Sequence, residues 1–142
     1  EYQENMERLL AKFKTAASLV PAAVIEDQGR SAGVIYLGTT AEAIPEAVDL
    51  LAEQGLHYDL MRLRGFPFGE EVWSFIDRHE QLYVVDQNRD AQLRSLLMIE
   101  GDVSPDKLVS ITHYDGMPVT ASFLRDAIAG RAEAQSAERK SA

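Results

Sequence analysis

The opening segment of the chain places an apolar residue at every third or fourth position. Such a pattern marks one face of a helix, and Pro21 ends that helix because proline interrupts the helical hydrogen-bond ladder. The stripe consists of Tyr2, Met6, Leu9, Phe13, Ala16 and Val20. The pattern therefore predicts a leading amphipathic helix of about five turns over residues 1–20.

Continuous apolar runs follow along the chain and predict the strands of a sheet. Residues 34–37 and 82–85 are apolar throughout, which is typical of strands buried on both faces. Further strands are predicted at residues 24–25, 58–63 and 108–111. The chain thus contains five candidate strands.

Helical periodicity returns after the second and third of these strands. Pro45 must lie in the first turn of the helix that follows residues 34–37, where its missing N–H costs nothing, and Gly55 closes that helix. The next helix is predicted to begin at Gly69, with Phe68 and Trp73 at the spacing of a hydrophobic staple.

Two more helices are predicted after the fourth and fifth strands. The inward residues of the first of them are Leu93, Leu96 and Leu97. The last helix is predicted to be capped by Thr120 and to end at Gly130, because glycine is unfavourable in a helix. The polar, Ala- and Ser-rich residues 131–142 are predicted to fray.

The alternation of strands with helices predicts βαβ crossovers and a three-layer α/β/α sandwich. Only a few turn residues separate the first two strands, so these are antiparallel if they lie in one sheet. We therefore expect a single α/β domain over residues 1–130, followed by the C-terminal tail 131–142.

Composition excludes several functional classes. The net charge is -9, with 14 Lys+Arg against 23 Asp+Glu, and no basic run is present, so neither nucleic acid nor an anionic membrane is an expected partner. The chain has no cysteine, which excludes disulfides, thiol catalysis and a Cys-ligated iron–sulfur cluster. We expect a cytoplasmic protein. The chain opens with Glu1 inside a helical pattern, and we expect it to be a piece of a longer protein or a processed form.

Two predicted strand ends are polar enough to form a site. One carries Gly38 and Thr39, and the other opens with Asp86, Gln87 and Asn88. If the two strands are neighbours, the loops line one crevice at the carboxyl ends of the strands, where open α/β sheets bind ligands. The alternative is that Gly38 only permits a tight turn and the threonines satisfy local backbone groups.

Three motifs resemble a known family. The runs are Met61-Arg-Leu-Arg-Gly-Phe-Pro-Phe68, Val84-Val-Asp-Gln-Asn-Arg-Asp-Ala-Gln-Leu93 and His113-Tyr-Asp-Gly-Met-Pro118. Together and in this order they resemble the C-terminal part of the α subunit of 2-oxoacid:ferredoxin oxidoreductases, with the 2-oxoglutarate type closest. Relatives typically have Glu where this chain has Asp86 and Gly where it has Ala91.

The resemblance implies a transketolase C-terminal-like fold, a five-stranded mixed sheet between helices with the first strand antiparallel. It also implies a parent enzyme that decarboxylates a 2-oxoacid, reduces ferredoxin and forms an acyl-CoA. Thiamine diphosphate and Mg²⁺ of such an enzyme are expected to be held largely elsewhere, by the β subunit and an earlier α domain, and the iron–sulfur cluster is expected outside this domain. Coenzyme A is a co-substrate of the parent enzyme. The expected partners are the remaining α-subunit domains and a β subunit, and no catalytic, cofactor or metal residue is assigned here.

The polar run after the fourth strand has two interpretations, and both can hold. Gln87, Asn88, Arg89, Asp90 and Gln92 suit a polar contact surface with other subunits. Alternatively, Asn88 or Asp90 caps the helix that follows.

Two other groups of residues are candidates for the same surface or crevice. Arg62 and Arg64 are either solvated charges or partners of Asp86 or of another subunit's acid. Phe66 and Phe68 belong either to a packed loop or to a subunit interface. The alternative function is a free-standing domain that binds a small molecule or nucleotide.

Overall fold

Five helices and five strands make up the computed structural model, which describes residues 1–141. The helices are α1 Tyr2–Ala17, α2 Ile44–Glu53, α3 Glu70–Arg78, α4 Gln92–Gly101 and α5 Ala121–Ser141. The strands are β1 Val24–Glu26, β2 Ala32–Leu37, β3 Asp59–Leu63, β4 Gln81–Asp86 and β5 Leu108–Thr112. Short 3-10 turns lie at Gly38–Glu42 and Pro105–Lys107. All five predicted strands and all five predicted helices are therefore present.

The strands form one mixed sheet in the order β1-β3-β2-β4-β5. Strands β2, β3, β4 and β5 are parallel, and β1 pairs antiparallel with β3. Strand β1 thus runs opposite to β2, as the short connection predicted, but its hydrogen-bonded neighbour is β3. The chain winds to one side of β2 to form β3 and to the other side to form β4, so the winding reverses between β2 and β4.

Side chains of the central strands alternate between two apolar cores on opposite faces of the sheet. Val34 and Tyr36 of β2 point into a core completed by α2 and α5. Ile35, between them, points into the other core, which is completed by α3 and α4. This alternation follows from the two-residue period of a strand, and it explains why the strands read as unbroken apolar runs. The predicted three-layer sandwich is confirmed.

Local sequence signals set several element boundaries as predicted. Pro45 lies in the first turn of α2. The rings of Phe68 and Trp73 pack edge to face with centroids 5.7 Å apart across the start of α3, as expected of a hydrophobic staple. Thr120 caps α5, because its Oγ1 accepts a hydrogen bond from the Phe123 amide at 3.2 Å.

The prediction that the last helix ends at Gly130 is wrong. Helix α5 continues to Ser141, and residues 131–141 are helical rather than frayed. Glycine costs a helix only about 1 kcal/mol, and tertiary contacts offset that cost here. The Tyr83 hydroxyl donates to Oε1 of Gln135 at 3.1 Å, and Ala132 packs against the core formed with α2. Ala142, the last residue of the predicted tail, lies outside the described residues.

Helix α1 differs from the other helices because none of its residues is buried. It ends one turn before the predicted boundary, and the chain then enters β1 through Pro21. Across residues 1–141, no helix combines the length and the apolar character needed to span a membrane.

Candidate functional site

The loops that follow β2 and β4 meet at the point where the winding of the sheet reverses. Nε2 of Gln87 donates to Oγ1 of Thr39 at 3.0 Å and to Oγ1 of Thr40 at 2.9 Å. These bonds join the two loops across a crevice of about 460 Å³ that Gly38, Asn88 and Gln92 also line. The prediction that the two strand ends line one crevice is confirmed. Oγ1 of each of its two threonines therefore already accepts a hydrogen bond within the chain.

Asp86 anchors the start of helix α4. The side chain is only 3% exposed, and Oδ1 accepts hydrogen bonds from the Leu93 amide and from Nδ2 of Asn88, each at 3.0 Å. Oδ2 accepts a longer bond of 3.4 Å from the Arg94 amide. A carboxylate at this position satisfies orphan N–H groups of the first helical turn and interacts favourably with the helix dipole. Its acceptor capacity is thus used to position α4.

Asn88 provides a second cap for the same helix. Its Oδ1 accepts hydrogen bonds from the Asp90 amide at 3.0 Å and from the Gln92 amide at 3.3 Å. Ala91, at the N-cap position, adopts a left-handed conformation with φ 50° and ψ 50°. The capping interpretation of the polar run is therefore confirmed for Asn88, whereas Asp90 plays a different part.

Arg89 and Asp90 point outward from the same turn. Nε of Arg89 donates to Oδ1 of Asp90 at 2.7 Å, and both side chains are more than half exposed. The hydrogen bond that Arg89 donates to Asp90 raises the pKa of the guanidinium above its usual value. An exposed pair of this kind contributes little to stability, so the guanidinium remains available to an external carboxylate. The contact-surface interpretation remains a prediction.

The expected ion pair between Asp86 and Arg62 or Arg64 does not form. Nε of Arg64 instead donates to the carbonyl oxygen of Ala22 at 2.7 Å. Within residues 1–141, the ion pairs involve neither arginine. The physical reason is that Asp86 already serves as a buried helix cap. The proposal that either arginine pairs with an acid of another subunit stays a prediction.

An apolar groove adjoins the polar crevice. Its cavity volume is about 630 Å³, and Arg62 and Arg64 lie along it. Its apolar lining includes Leu37, Leu63, Phe66, Phe68, Leu93 and Leu96. Phe68 packs inward, with its ring centroid 5.3 Å from that of Phe66, whereas Phe66 remains 47% exposed. Phe68 is thus a packed residue, and Phe66 presents an apolar tip.

Sequence reasoning missed two exposed apolar side chains at the same end of the sheet. Tyr114 is 63% exposed and Met117 is 68% exposed, both in the loop after β5. They belong to the third resemblance motif, which was the only available signal.

We use the term strand-end surface for a set of residues that follow or end the four parallel strands. These are residues 38–40, 62–68, 86–92 and 113–117.

The histidines have no shared site. His79 is buried, with Nδ1 2.7 Å from the Phe75 carbonyl oxygen and Nε2 3.1 Å from Oδ2 of Asp59. Nε2 of His113 lies 3.3 Å from Oδ1 of Asp115, and His57 is exposed at the opposite end of the sheet. Over the part of the chain that the structure describes, no group of three His, Cys, Asp or Glu residues could hold a metal ion.

The fold is of the transketolase C-terminal-like class, an α/β domain with a five-stranded mixed sheet. A split-gene transketolase, solved as an inactive beta4 tetramer, superposes with a TM-score of 0.59 and 17% identity. The superposition covers 76% of this chain and 40% of the transketolase chain. No protein-family model matches the sequence.

More specific similarity is to 2-oxoacid:ferredoxin oxidoreductases. The chain is 29% identical over 114 residues to subunit alpha of 2-oxoacid:ferredoxin oxidoreductase 2 from Aeropyrum pernix. The 2-oxoglutarate:ferredoxin oxidoreductase from Magnetococcus marinus, solved with 2-oxoglutarate, coenzyme A and succinyl-CoA bound, superposes with a TM-score of 0.75 and 20% identity over 90% of this chain. The resemblance seen in the three motifs is thus confirmed.

The matched region is a small part of each relative. The aligned residues cover 76% of this chain but 17% of the Aeropyrum subunit. The superposition covers 23% of the Magnetococcus chain. The similarity therefore concerns one domain of much longer proteins.

Proposed function

We propose that this chain is the C-terminal structural and assembly domain of the α subunit of a thiamine-diphosphate-dependent 2-oxoacid:ferredoxin oxidoreductase, of the 2-oxoglutarate type. The parent enzyme would decarboxylate a 2-oxoacid oxidatively to an acyl-CoA and pass the electrons to ferredoxin. The observation that carries the proposal is the alignment of 114 residues with an alpha subunit of that enzyme class. The domain alone is expected to be inactive.

The strand-end surface supports a role in assembly. It combines exposed apolar side chains, Phe66, Tyr114 and Met117, with the outward-facing guanidinium of Arg89. Protein interfaces are enriched in aromatic residues, Met and Arg. Because Nε2 of Gln87 and the Oγ1 atoms of Thr39 and Thr40 already bond one another within the chain, this surface is better suited to contact protein than to activate a substrate.

The residues present do not fit an iron–sulfur cluster, because the sequence has no cysteine to ligate one. The sequence also lacks the Gly-Asp-Gly segment with a following Asn that holds thiamine diphosphate and magnesium in such enzymes. We therefore assign thiamine diphosphate, Mg²⁺ and the iron–sulfur cluster to the remaining α-subunit domains and the β subunit.

The experiment is co-purification of this domain with the remainder of its α subunit and the β subunit. We expect Arg89→Glu to reduce recovery of the complex, because it inverts a charge on the strand-end surface without removing a helix cap. Arg125→Glu is the matched control, since Arg125 forms a similar pair with the next residue, Asp126, at 2.8 Å on α5.

Complexes that form equally well with both variants would argue against the strand-end surface as the contact. Failure of the unchanged domain to associate at all would refute the assembly role itself. Asn88 is not a suitable probe, because its side chain caps α4 and its removal would lower stability.

A second candidate function is that of a free-standing domain that binds a small molecule or nucleotide. The crevice favours it, because it lies at the switch point where open α/β sheets bind ligands. Calorimetric titration with nucleotides, coenzyme A and thiamine diphosphate separates the two candidates. Stoichiometric binding that Thr39→Val abolishes would favour the second.

A further inference from the structure

His79 follows helix α3 at the edge of the sheet opposite the strand-end surface. Its side chain is 1% exposed, and the side chain of Asp59 at the start of β3 is 0% exposed. Nδ1 of His79 lies 2.7 Å from the Phe75 carbonyl oxygen, and Nε2 lies 3.1 Å from Oδ2 of Asp59. These two contacts of the imidazole ring are called the His79 bridge below. The bridge joins the end of α3 to the start of β3.

Neither oxygen of the His79 bridge donates a hydrogen bond. A carbonyl oxygen only accepts, and so does an ionised carboxylate. Asp59 is ionised, because its Oδ1 accepts from the Gln28 amide at 2.8 Å and its Oδ2 accepts from the Arg30 amide at 3.0 Å. Burial raises the pKa of Asp59, but these amides and His79 outweigh it and leave that pKa below its ordinary value. Both ring nitrogens must therefore donate, so the bridge requires a proton on each of them.

The end of a helix suits a positively charged ring. The Phe75 carbonyl is one of the last four of α3, which have no partner within the helix. Nδ1–H of His79 provides that partner, and a cation at this position interacts favourably with the helix dipole. The Phe75 ring, with its centroid 4.2 Å from that of the imidazole, also attracts a cation. The carboxylate, the helix end and the aromatic ring thus all favour the doubly protonated state.

Asp59 is the counter-ion of the imidazole ring. The other charged residues on the elements around the bridge are Asp27, Arg30, Asp77, Arg78, Glu80 and Lys107. Over residues 1–141, neither hydrogen bonds nor ion pairs connect the side chains of these six to the ring. Arg78 and Asp27 pair with each other at 2.7 Å, and Lys107 donates to the Asp77 carbonyl oxygen at 3.3 Å. The protonation of the ring therefore depends chiefly on its two contacts in the bridge.

We propose that the His79 bridge is a pH-sensitive contact, formed only while both ring nitrogens carry protons. When the pH rises, the Nδ1 proton passes to solvent, because the charged carboxylate of Asp59 holds the Nε2 proton more strongly than the neutral carbonyl holds the other. Nδ1 then presents a lone pair to the Phe75 carbonyl oxygen, and this contact breaks. The last turn of α3 loses its cap, while Asp59 keeps its bond to the ring. The bridge is remote from the strand-end surface, so this inference does not rest on the proposed function.

The sign of the pH dependence tests the proposal. A histidine that is buried and neutral gains its charge as the pH falls, and the fold is then destabilised. The His79 bridge predicts the opposite sign, since unfolding releases a proton. The unfolding equilibrium constant should increase as the pH rises through the titration of His79, by up to about tenfold per pH unit for one linked proton. Urea denaturation of the 142-residue chain measures the constant, and ring-nitrogen NMR shifts of the same samples follow the titration.

His79→Gln removes the titration, because glutamine donates from a single nitrogen and remains neutral. We expect this variant to lose the rise in the unfolding constant, whereas the control His57→Gln, at an exposed histidine, should retain it. A constant that rises as steeply in His79→Gln as in the unchanged chain would overturn the proposal. So would a constant of the unchanged chain that stays level or falls as His79 loses its proton.

Amide exchange of the unchanged chain gives a second test that does not require a variant to fold. Protection factors, which correct for the intrinsic pH dependence of exchange, should fall about tenfold in the last turn of α3, residues 75–78, once His79 has lost a proton. The last turn of α2, residues 50–53, is closed by the backbone amides of Gln54 and Gly55 instead and should keep its protection. The neutral ring should carry its proton on Nε2. Equal behaviour of the two helix ends, or a remaining proton on Nδ1, would contradict the proposal.

Discussion

Replacing Ala91 by glycine should stabilise the protein, although the change adds backbone freedom. Ala91 has φ 50° and ψ 50°, close to the ideal left-handed conformation, which L-residues other than glycine adopt at a cost. The conformation is fixed from both sides. The Ala91 carbonyl oxygen accepts a hydrogen bond from the Ser95 amide at 3.0 Å, and the adjacent Asp90 and Gln92 amides are held by Asn88.

The magnitude follows from two opposing terms. Relief of the left-handed strain is worth about 1–2 kcal/mol. The greater freedom of glycine in the unfolded chain removes about 0.4–1 kcal/mol. The free energy of unfolding should therefore rise by about 0.8 kcal/mol, the centre of a range of about 0–1.6 kcal/mol, and the melting temperature by about 2–4 °C for a chain of this size.

Urea denaturation of the two forms measures the difference directly. Ala134→Gly serves as the control, because Ala134 is exposed within α5 in ordinary helical conformation. It should destabilise by about 0.5–1 kcal/mol. If Ala91→Gly lowered stability by as much as the control, the inference of strain at the start of α4 would be refuted.

Two further predictions concern buried contacts. Burial tends to raise the pKa of Asp59, but hydrogen bonds from the Gln28 amide, His79 and the Arg30 amide outweigh it and leave that pKa below its ordinary value. Since the folded-state pKa is depressed, the contribution of Asp59 is present above about pH 4 and is lost as pH falls through the folded pKa. Asp59→Asn should therefore lower the free energy of unfolding by about 2–3 kcal/mol at pH 7. It should also reduce the loss of stability that the protein shows as the pH is lowered into the acid range. An acid titration in which the variant loses stability as steeply as the unchanged protein would contradict this role of Asp59. Gly101→Ala should cost about 1 kcal/mol, because overpacking of the added Cβ against the ring of Trp73 costs about 1–3 kcal/mol and the better helix propensity of alanine offsets about 0.5–1 kcal/mol of it. Denaturation followed by fluorescence of this single tryptophan checks it, and a gain in stability would contradict the close packing.

Local sequence signals determined the elements of this protein. Apolar runs produced the strands because both faces of the sheet are covered. Thr120 and the pair Phe68 and Trp73 marked helix starts because capping and stapling involve residues only three to five positions apart. Asn88 was foreseen as a cap for the same reason. The meeting of the Thr39 and Gln87 loops was predicted only on the condition that their strands were neighbours.

The tertiary structure decided what depends on distant contacts. Helix α5 passes through Gly130 because Gln135 bonds Tyr83, 52 positions away in the chain. Asp86 caps α4 instead of pairing with Arg62 because the strand end aims its carboxylate at the helix N-terminus. The exposure of α1 was equally invisible in its periodicity, since an amphipathic pattern states that a helix has an apolar face but not which surface covers it. Periodicity and caps are properties of neighbouring residues, whereas strand order and burial depend on which distant segments meet.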